Sequence, residues 1–201
     1  MAGIEYRPLA DSDFAGVHRV ALESWRNTYR GLLDDERIEA TVNEHYSAER
    51  LRQVLGKVAT GSRYFEVAVR DAQVVGFCTI VFTDLGAELS RLYVLPEIFG
   101  SRVGVTMLLR AAQYLRSQGY HSCHSWMHRE NQRAIKMYQR CGARHVPELD
   151  RVDSWYMEYN LTVRGSITNA VKRVLRRVAR VLRGGRVTTG QAVLPDVRDN
   201  S

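Results

Sequence analysis

The stretch LYVLPEIFGSRVGVTMLLRAAQYLRS, residues 92–117, constrains the fold more than any other. An apolar run rich in strand formers ends at Pro96. A loop with Gly100 and Gly104 follows, and from residue 103 to 117 apolar residues recur at helical spacing. A strand that runs through a glycine-bearing turn into a helix is the opening of an α/β crossover unit. The flanking patterns agree. IEYRPL reads as an opening strand. Residues 10–33 read as a helix capped by Asp11 or Ser12, with Phe14, Val17, Val20 and Ala21 on one stripe, and residues 33–56 read as a second helix. RYFEVAVR, DAQ and VVGFCTIVFTD give strand, turn and strand, and AELSRLYVLP is a third strand in succession. GYHSCHSWMH is a further strand, ENQRAIKMYQRCG a helix ending at Gly142, and ARHVPE and RVDSWYMEYNL the last two strands. The expected order is β-α-α-β-β-β-α-β-α-β-β, an α/β domain with a mixed sheet.

Charge divides the chain. Of its 29 Lys and Arg, nine fall in residues 162–201 against two acids, so the net +7 resides there and the preceding 161 residues balance at 20 of each sign. The expected organisation is a domain over residues 1–161 and a basic tail over 162–201. Cys78, Cys123 and Cys141 are widely spaced and odd in number, which points to a reducing compartment rather than a disulfide framework. No apolar run approaches the ~20 residues of a membrane span, and MAGIEYRPLADSD lacks the pattern of a signal peptide. These features predict a cytoplasmic protein.

The loop before residue 103 has the chemistry of a phosphate cradle. A helix N-terminus presents unpaired N–H groups and about half a positive charge. Gly100 and Gly104 allow close approach, Ser101 adds a hydroxyl and Arg102 a guanidinium. An ordinary strand-to-helix turn accounts for the glycines equally well.

The segment LYVLPEIFGSRVGVTMLLRA resembles the acetyl-CoA loop of the GNAT superfamily of N-acyltransferases, V-x-x-x-x-[QR]-x-x-G-x-[GA] between strand and helix. Val94 and Gly104 match its ends; Phe99 stands at the [QR] position and Arg102 at the middle glycine. RENQRAIKMYQRCGARHV is similar to the family's second signature, N-x-x-A-x-x-x-Y-x-x-x-G-[FA], matched by Asn131, Ala134, Tyr138 and Gly142. The resemblance covers about residues 3–161. It implies a mixed central sheet flanked by helices and acetyl-CoA as co-substrate, with no metal. It also implies an amine acceptor attacked directly in a ternary complex.

By the same resemblance, coenzyme A contacts fall on Leu92, Tyr93, Val94, Phe99, Gly100, Ser101, Arg102, Val103, Gly104, Asn131 and Ala134. Tyr138 is the expected acid toward the leaving thiolate. Glu88, six residues before Val94, stands where some members carry a catalytic glutamate. Its residue-level alternative is a solvated carboxylate at a strand start. His124 and His128 share one strand face, and an imidazole is by its chemistry a better match to a base than a carboxylate. Strand alternation divides His121, Cys123, His124 and His128 between two faces, which speaks against a metal site. Trp25 and Tyr29, four apart on the first helix, line an acceptor pocket or pack that helix on the sheet.

In the tail, SITNAVKRVLRRVARVLRGG carries an aliphatic stripe from Ile167 to Leu182 with six bases around it. Such a basic amphipathic helix over residues 166–183 fits an anionic membrane surface, its own domain or a dimer mate, or RNA phosphates. Two rival readings use it: a non-catalytic CoA-sensing module tethered by its tail, and an acetyltransferase acting on aminoacyl-tRNA.

Overall fold

The computed structural model describes residues 3–31 and 33–162. Among these, seven strands form one sheet: β1 (Glu5–Pro8), β2 (Arg63–Arg70), β3 (Gln73–Thr83), β4 (Gly86–Val94), β5 (Ser122–His128), β6 (Ala143–His145) and β7 (Ser154–Asn160). Their order is β1-β2-β3-β4-β5-β7-β6, antiparallel throughout except for the parallel pair β4–β5. The helices are α1 (Phe14–Thr28), α2 (Asp35–Tyr46), α3 (Ala48–Ala59), α4 (Val103–Ser117) and α5 (Gln132–Arg140). The mixed sheet is the one expected. The basic helix expected over 166–183 lies outside the described residues.

Two expectations are corrected. Neither Asp11 nor Ser12 caps α1. They lie in a 3-10 turn over Asp11–Asp13, and the Asp13 carboxylate turns back to accept from the Ala10 amide at 2.8 Å and from both Arg7 guanidinium nitrogens at 2.6 and 2.8 Å. That bidentate pair joins β1 to the start of α1, and Asp13 raises the Arg7 pKa. The second helix is two. Ser47 leaves the helical region at ψ 157° and its hydroxyl accepts from the Arg50 amide, so one helix stops and the next starts at the same residue. Asp34 caps α2 in the same way through the Arg37 amide.

Helices cover both faces of the sheet. Trp25 of α1 donates to the Tyr93 hydroxyl at 3.1 Å, and Tyr46 of α2 packs on Phe77 and Tyr93, so α1–α3 lie on the face of Phe65, Phe77 and Tyr93. On the other face, Arg110 of α4 donates to the buried Glu66 at 2.7 Å, and Tyr138 of α5 packs edge-on against Tyr159. Burial of the aliphatic and aromatic side chains between these layers is the main stabilising term.

The close fit of α4 to the sheet depends on Gly76 in β3. A Cβ there would sit 2.8 Å from the Tyr93 carbonyl oxygen, 3.3 Å from Val94 Cγ2 and 3.5 Å from Met107 Sδ. Backbone cannot yield as a side-chain tip can. Gly76→Ala is therefore expected to destabilise the domain by about 1–3 kcal/mol, read as a lower urea midpoint. An unchanged midpoint would show that β3 and β4 separate freely.

Candidate active site

The site begins where the sheet comes apart. β4 and β5 pair in parallel at Glu88 opposite His124, and no further register pair joins them among the described residues. β5 instead pairs along its whole length with β7. Beyond Glu88 the β5-facing edge of β4 thus borders a gap, into which alternate peptide groups of Leu92, Tyr93 and Val94 are directed. The side chains of these three residues are buried. They shape the strand, and the main chain lines the gap.

A bulge in β4 changes which side chains share a face. Thr79 pairs with Arg91 but Ile80 pairs with Leu89, leaving Ser90 without an opposite residue. Simple alternation would put Glu88 and Arg91 on opposite faces. The register instead sets Glu88 in the row Arg63–Val81–Glu88 and Arg91 in the row Phe65–Thr79–Arg91, both on the α1–α3 face.

At the end of β4 the chain makes a 3-10 turn over Pro96–Ile98 and swings through Gly100 at φ +82°. Arg102, at φ +70° and ψ −1°, is the N-cap of α4. It thus takes the left-handed conformation favoured by glycine at the position where the resemblance has glycine. The first intrahelical bond runs from the Thr106 amide to the Arg102 carbonyl at 2.8 Å, so the amides of Arg102, Val103, Gly104 and Val105 all precede it. No acid lies in the first turn of α4, and Gly100, Ser101 and Arg102 are exposed. Val103 is buried beneath the turn, Gly104 is half-buried, and Phe99 packs half-buried on the core. A row of outward amides with a positive helix end and a guanidinium beside it suits a diphosphate.

Helix α5 starts at Asn131, whose Oδ1 accepts from the Ala134 amide at 3.1 Å, and is followed by Gly142 at φ +99°. Asn131 is half-buried, whereas Ala134 is fully buried in the core. Tyr138 is also fully buried, and its hydroxyl has no hydrogen-bond partner. Burial holds its pKa well above the usual 10, with Cys78, Cys141 and Cys123 adding to the effect. The phenol therefore stays protonated at any physiological pH, as a donor awaiting an acceptor.

On the opposite face, Glu88 Oε2 lies 3.7 Å from Nε2 of the buried His124. His124 stacks on Tyr156 at 4.9 Å, and Trp126 packs edge-on against Tyr156. Burial raises the Tyr156 pKa, aided by the carboxylate of Glu158. His128 is half-buried at the end of β5, where Nδ1 meets the Glu130 amide at 3.4 Å. Trp25 is buried, its indole N–H held by Tyr93, so it packs α1 on the sheet; the Tyr29 ring lies tilted against it at 4.8 Å. The structure gathers Glu88, His124 and His128 on one face and Tyr138 on the other. Tyr156 and Arg91 were not foreseen. A base inside the apolar run of β4 was the one available signal for Arg91.

Comparison with known proteins decides the family. The sequence pattern of the Acetyltransferase (GNAT) family matches residues 19–143. The spermidine N(1)-acetyltransferase of Thermoplasma acidophilum is 33% identical over 140 residues, 69% of this chain and 87% of that one. The chain belongs to the GNAT acetyltransferase family. The crystal structure of the PaiA N-acetyltransferase of Thermoplasma acidophilum in complex with coenzyme A superposes with a TM-score of 0.74 at 30% identity, over 79% of this chain and 99% of that one. A GNAT acetyltransferase of Staphylococcus aureus Mu50 shares the fold, with a TM-score of 0.63 at 15% identity over 80% of this chain and 100% of that one. This GNAT protein is accordingly an acyl-CoA-dependent N-acetyltransferase with acetyl-CoA as co-substrate.

The left-handed conformation costs a non-glycine residue about 1–2 kcal/mol, partly offset by the flexibility glycine adds to the unfolded chain. Arg102→Gly should therefore raise stability by up to about 1 kcal/mol in urea titrations; a loss would show that the guanidinium anchors the loop. Burial also pushes Cys141 to about 11 and Cys123 to about 12, from an ordinary 9.0. The unfolded chain then loses these protons first, so their contribution is complete below pH 9 and is lost as pH rises through 11 to 12. The urea midpoint should fall steadily above pH 9, and a flat profile to pH 11 would contradict the burial of these thiols.

Proposed function

We propose that this acetyltransferase acetylates the amine of a small molecule by direct attack in a ternary complex, with the two substrates meeting in the gap between β4 and β5. The observation that carries this reading is the unpartnered hydroxyl of Tyr138 behind one face of the sheet, with the Glu88–His124 pair on the other. Acetyl-CoA supplies the acetyl group as a thioester. The amides of Arg102–Val105 hold its diphosphate, Ser101 and Arg102 add side-chain contacts, and Phe99 and Asn131 flank its path. Alternate amides of Leu92–Val94 polarise the carbonyl, a preorganised role that backbone N–H groups fill without rearrangement.

The acceptor ammonium, ordinarily near pKa 10, must lose a proton before it attacks. Glu88 takes it, with the adjacent His124 positioned to relay it. Tyr138 then hydrogen-bonds the leaving thiolate. Full transfer from a phenol raised above 10 to a thiolate near 8.5 is uphill, so Tyr138 stabilises developing charge. Tyr29 and His128 flank the acceptor, and Trp25 supports that side through Tyr93. Spermidine is the acceptor named for the Thermoplasma relative.

We place the domain boundary at residue 161 and the protein in the cytoplasm, a setting consistent with three unbridged cysteines. Among the described residues no helix is long and apolar enough to cross a membrane. The basic tail would then hold the domain at an anionic membrane surface, with RNA contact and dimerisation as competing uses.

Tyr138→Phe tests the reading. Its removal deletes a buried hydroxyl without a partner, so stability should hold or rise. Acetyl-CoA should still raise the melting temperature as in the parent chain, while kcat falls about 100-fold. Unchanged turnover would remove Tyr138 from the reaction.

A further inference from the structure

Past Glu88, the β5 bank of the gap carries an aromatic shelf. His124, Trp126 and His128 alternate onto one face of β5, and Trp126 lies opposite Tyr156 of β7. The Trp126 and Tyr156 rings meet edge to face with centroids 5.1 Å apart. Trp126 stands two residues, or about 7 Å, along β5 from His124 and beyond the last β4–β5 pair. The indole and the proposed base therefore border the gap from one side. Carboxylates adjoin the shelf. Glu88 and Glu158 lie opposite His124 on the two neighbouring strands, and Glu158 also pairs with Arg144. Burial raises the Tyr156 pKa, and the carboxylates of Glu158 and Glu88 add to it.

A cation already lies on this shelf. The Arg151 guanidinium stands 3.7 Å from the centre of the Trp126 ring, well within cation–π range. It makes no hydrogen bond or ion pair among the described residues. Arg110, which stands over Tyr6, is by contrast anchored to Glu66. The main chain around Arg151 is tied down. Its amide donates to the Ser154 carbonyl at 2.9 Å, and its carbonyl accepts from Arg129 Nη2 at 2.9 Å. The preceding Asp150 accepts from His145 Nε2 at 3.0 Å and from the Tyr156 amide at 2.9 Å. The loop is thus fixed on both sides, whereas the guanidinium is held by the ring and can exchange for another cation.

We infer that Trp126 and Tyr156 form the subsite for a second positive charge on the acceptor, and that Arg151 is a specificity-determining residue whose guanidinium fills this subsite until a di- or polyamine displaces it. The reacting amine then faces Glu88 while the far ammonium takes the place of the guanidinium on the indole. A monoamine brings nothing to replace that contact, so it binds beside Arg151 and not in its stead. This inference rests on the acceptor side assigned under the proposed function. It goes beyond that reading in assigning residues to the acceptor's far end and a charge to what they hold.

The test uses the full chain with acetyl-CoA and paired acceptors: 1,4-diaminobutane against 1-aminopentane, and 1,5-diaminopentane against 1-aminohexane. We expect kcat/KM at least tenfold higher for the diamine of each pair. Trp126→Leu should raise KM for the diamine at least tenfold and abolish the preference, leaving KM for acetyl-CoA within twofold. Trp126→Phe, which keeps an aromatic face, should retain part of the preference and serves as the variant if the leucine does not fold. Arg151→Gln removes the competing cation and should lower KM for the diamine at least threefold; a merely structural Arg151 would leave the ratio of diamine to monoamine unmoved. Equal use of diamine and monoamine, or a diamine KM that is unchanged or higher in Arg151→Gln, overturns the inference and leaves acetyl transfer standing. Melting-temperature titration with the same amines in the presence of coenzyme A separates the two readings. A diamine-specific shift lost in Trp126→Leu upholds the shelf even if no acetyl transfer is seen, and a parent chain that responds alike to both amines overturns it.

Discussion

The parting of β4 from β5 is the constraint on which the rest of the site depends. Two parallel strands that stayed paired would use their amides and carbonyls on each other. Here β5 is held along its length by β7, and β4 by β3, so both strands keep one full ladder while the edge between them opens past Glu88. The opening puts main-chain donors in a place that is neither solvent nor sheet. It lies between the face covered by α1–α3 and the face covered by α4 and α5.

The proposed chemistry is divided between those two faces. The proposed donor, Tyr138, is kept from alternative acceptors, buried among thiols that are themselves held neutral. The proposed base, a carboxylate, must remain near water and opposite charge. Glu88 lies at the edge of the covered face, beside His124 and in line with Arg63. Placed on one face, the two would hydrogen-bond to each other.

Much of this was legible in the sequence. The strand patterns and the turn at Asp71 and Ala72, both at positive φ, emerge where periodicity puts them. Asn131 and Tyr138 sit respectively at the start of and within the helix their spacing implied. What was hidden was local competition and register. Ser47 divides one helical pattern into two because its hydroxyl caps the second helix as effectively as its backbone would continue the first. Asp13 takes the position before α1 in place of Asp11 or Ser12, its carboxylate held by Arg7 of β1 rather than by the helix amides. Ser90 is the deeper case, since a bulge leaves no mark in a one-dimensional pattern of apolar residues.

The bulge matters because it decides charge placement. Without it Arg91 would point at the α4 face, where Glu66 already pairs with Arg110. A second guanidinium there would crowd the first. With it, Arg91 joins Arg63 behind Glu88, and β4 acquires a cation and an anion on one side, three residues apart. A strand that bends at that residue also diverges more readily from its parallel neighbour. One inserted residue thus accounts for both the opening of the gap and the polarity of the surface beside it.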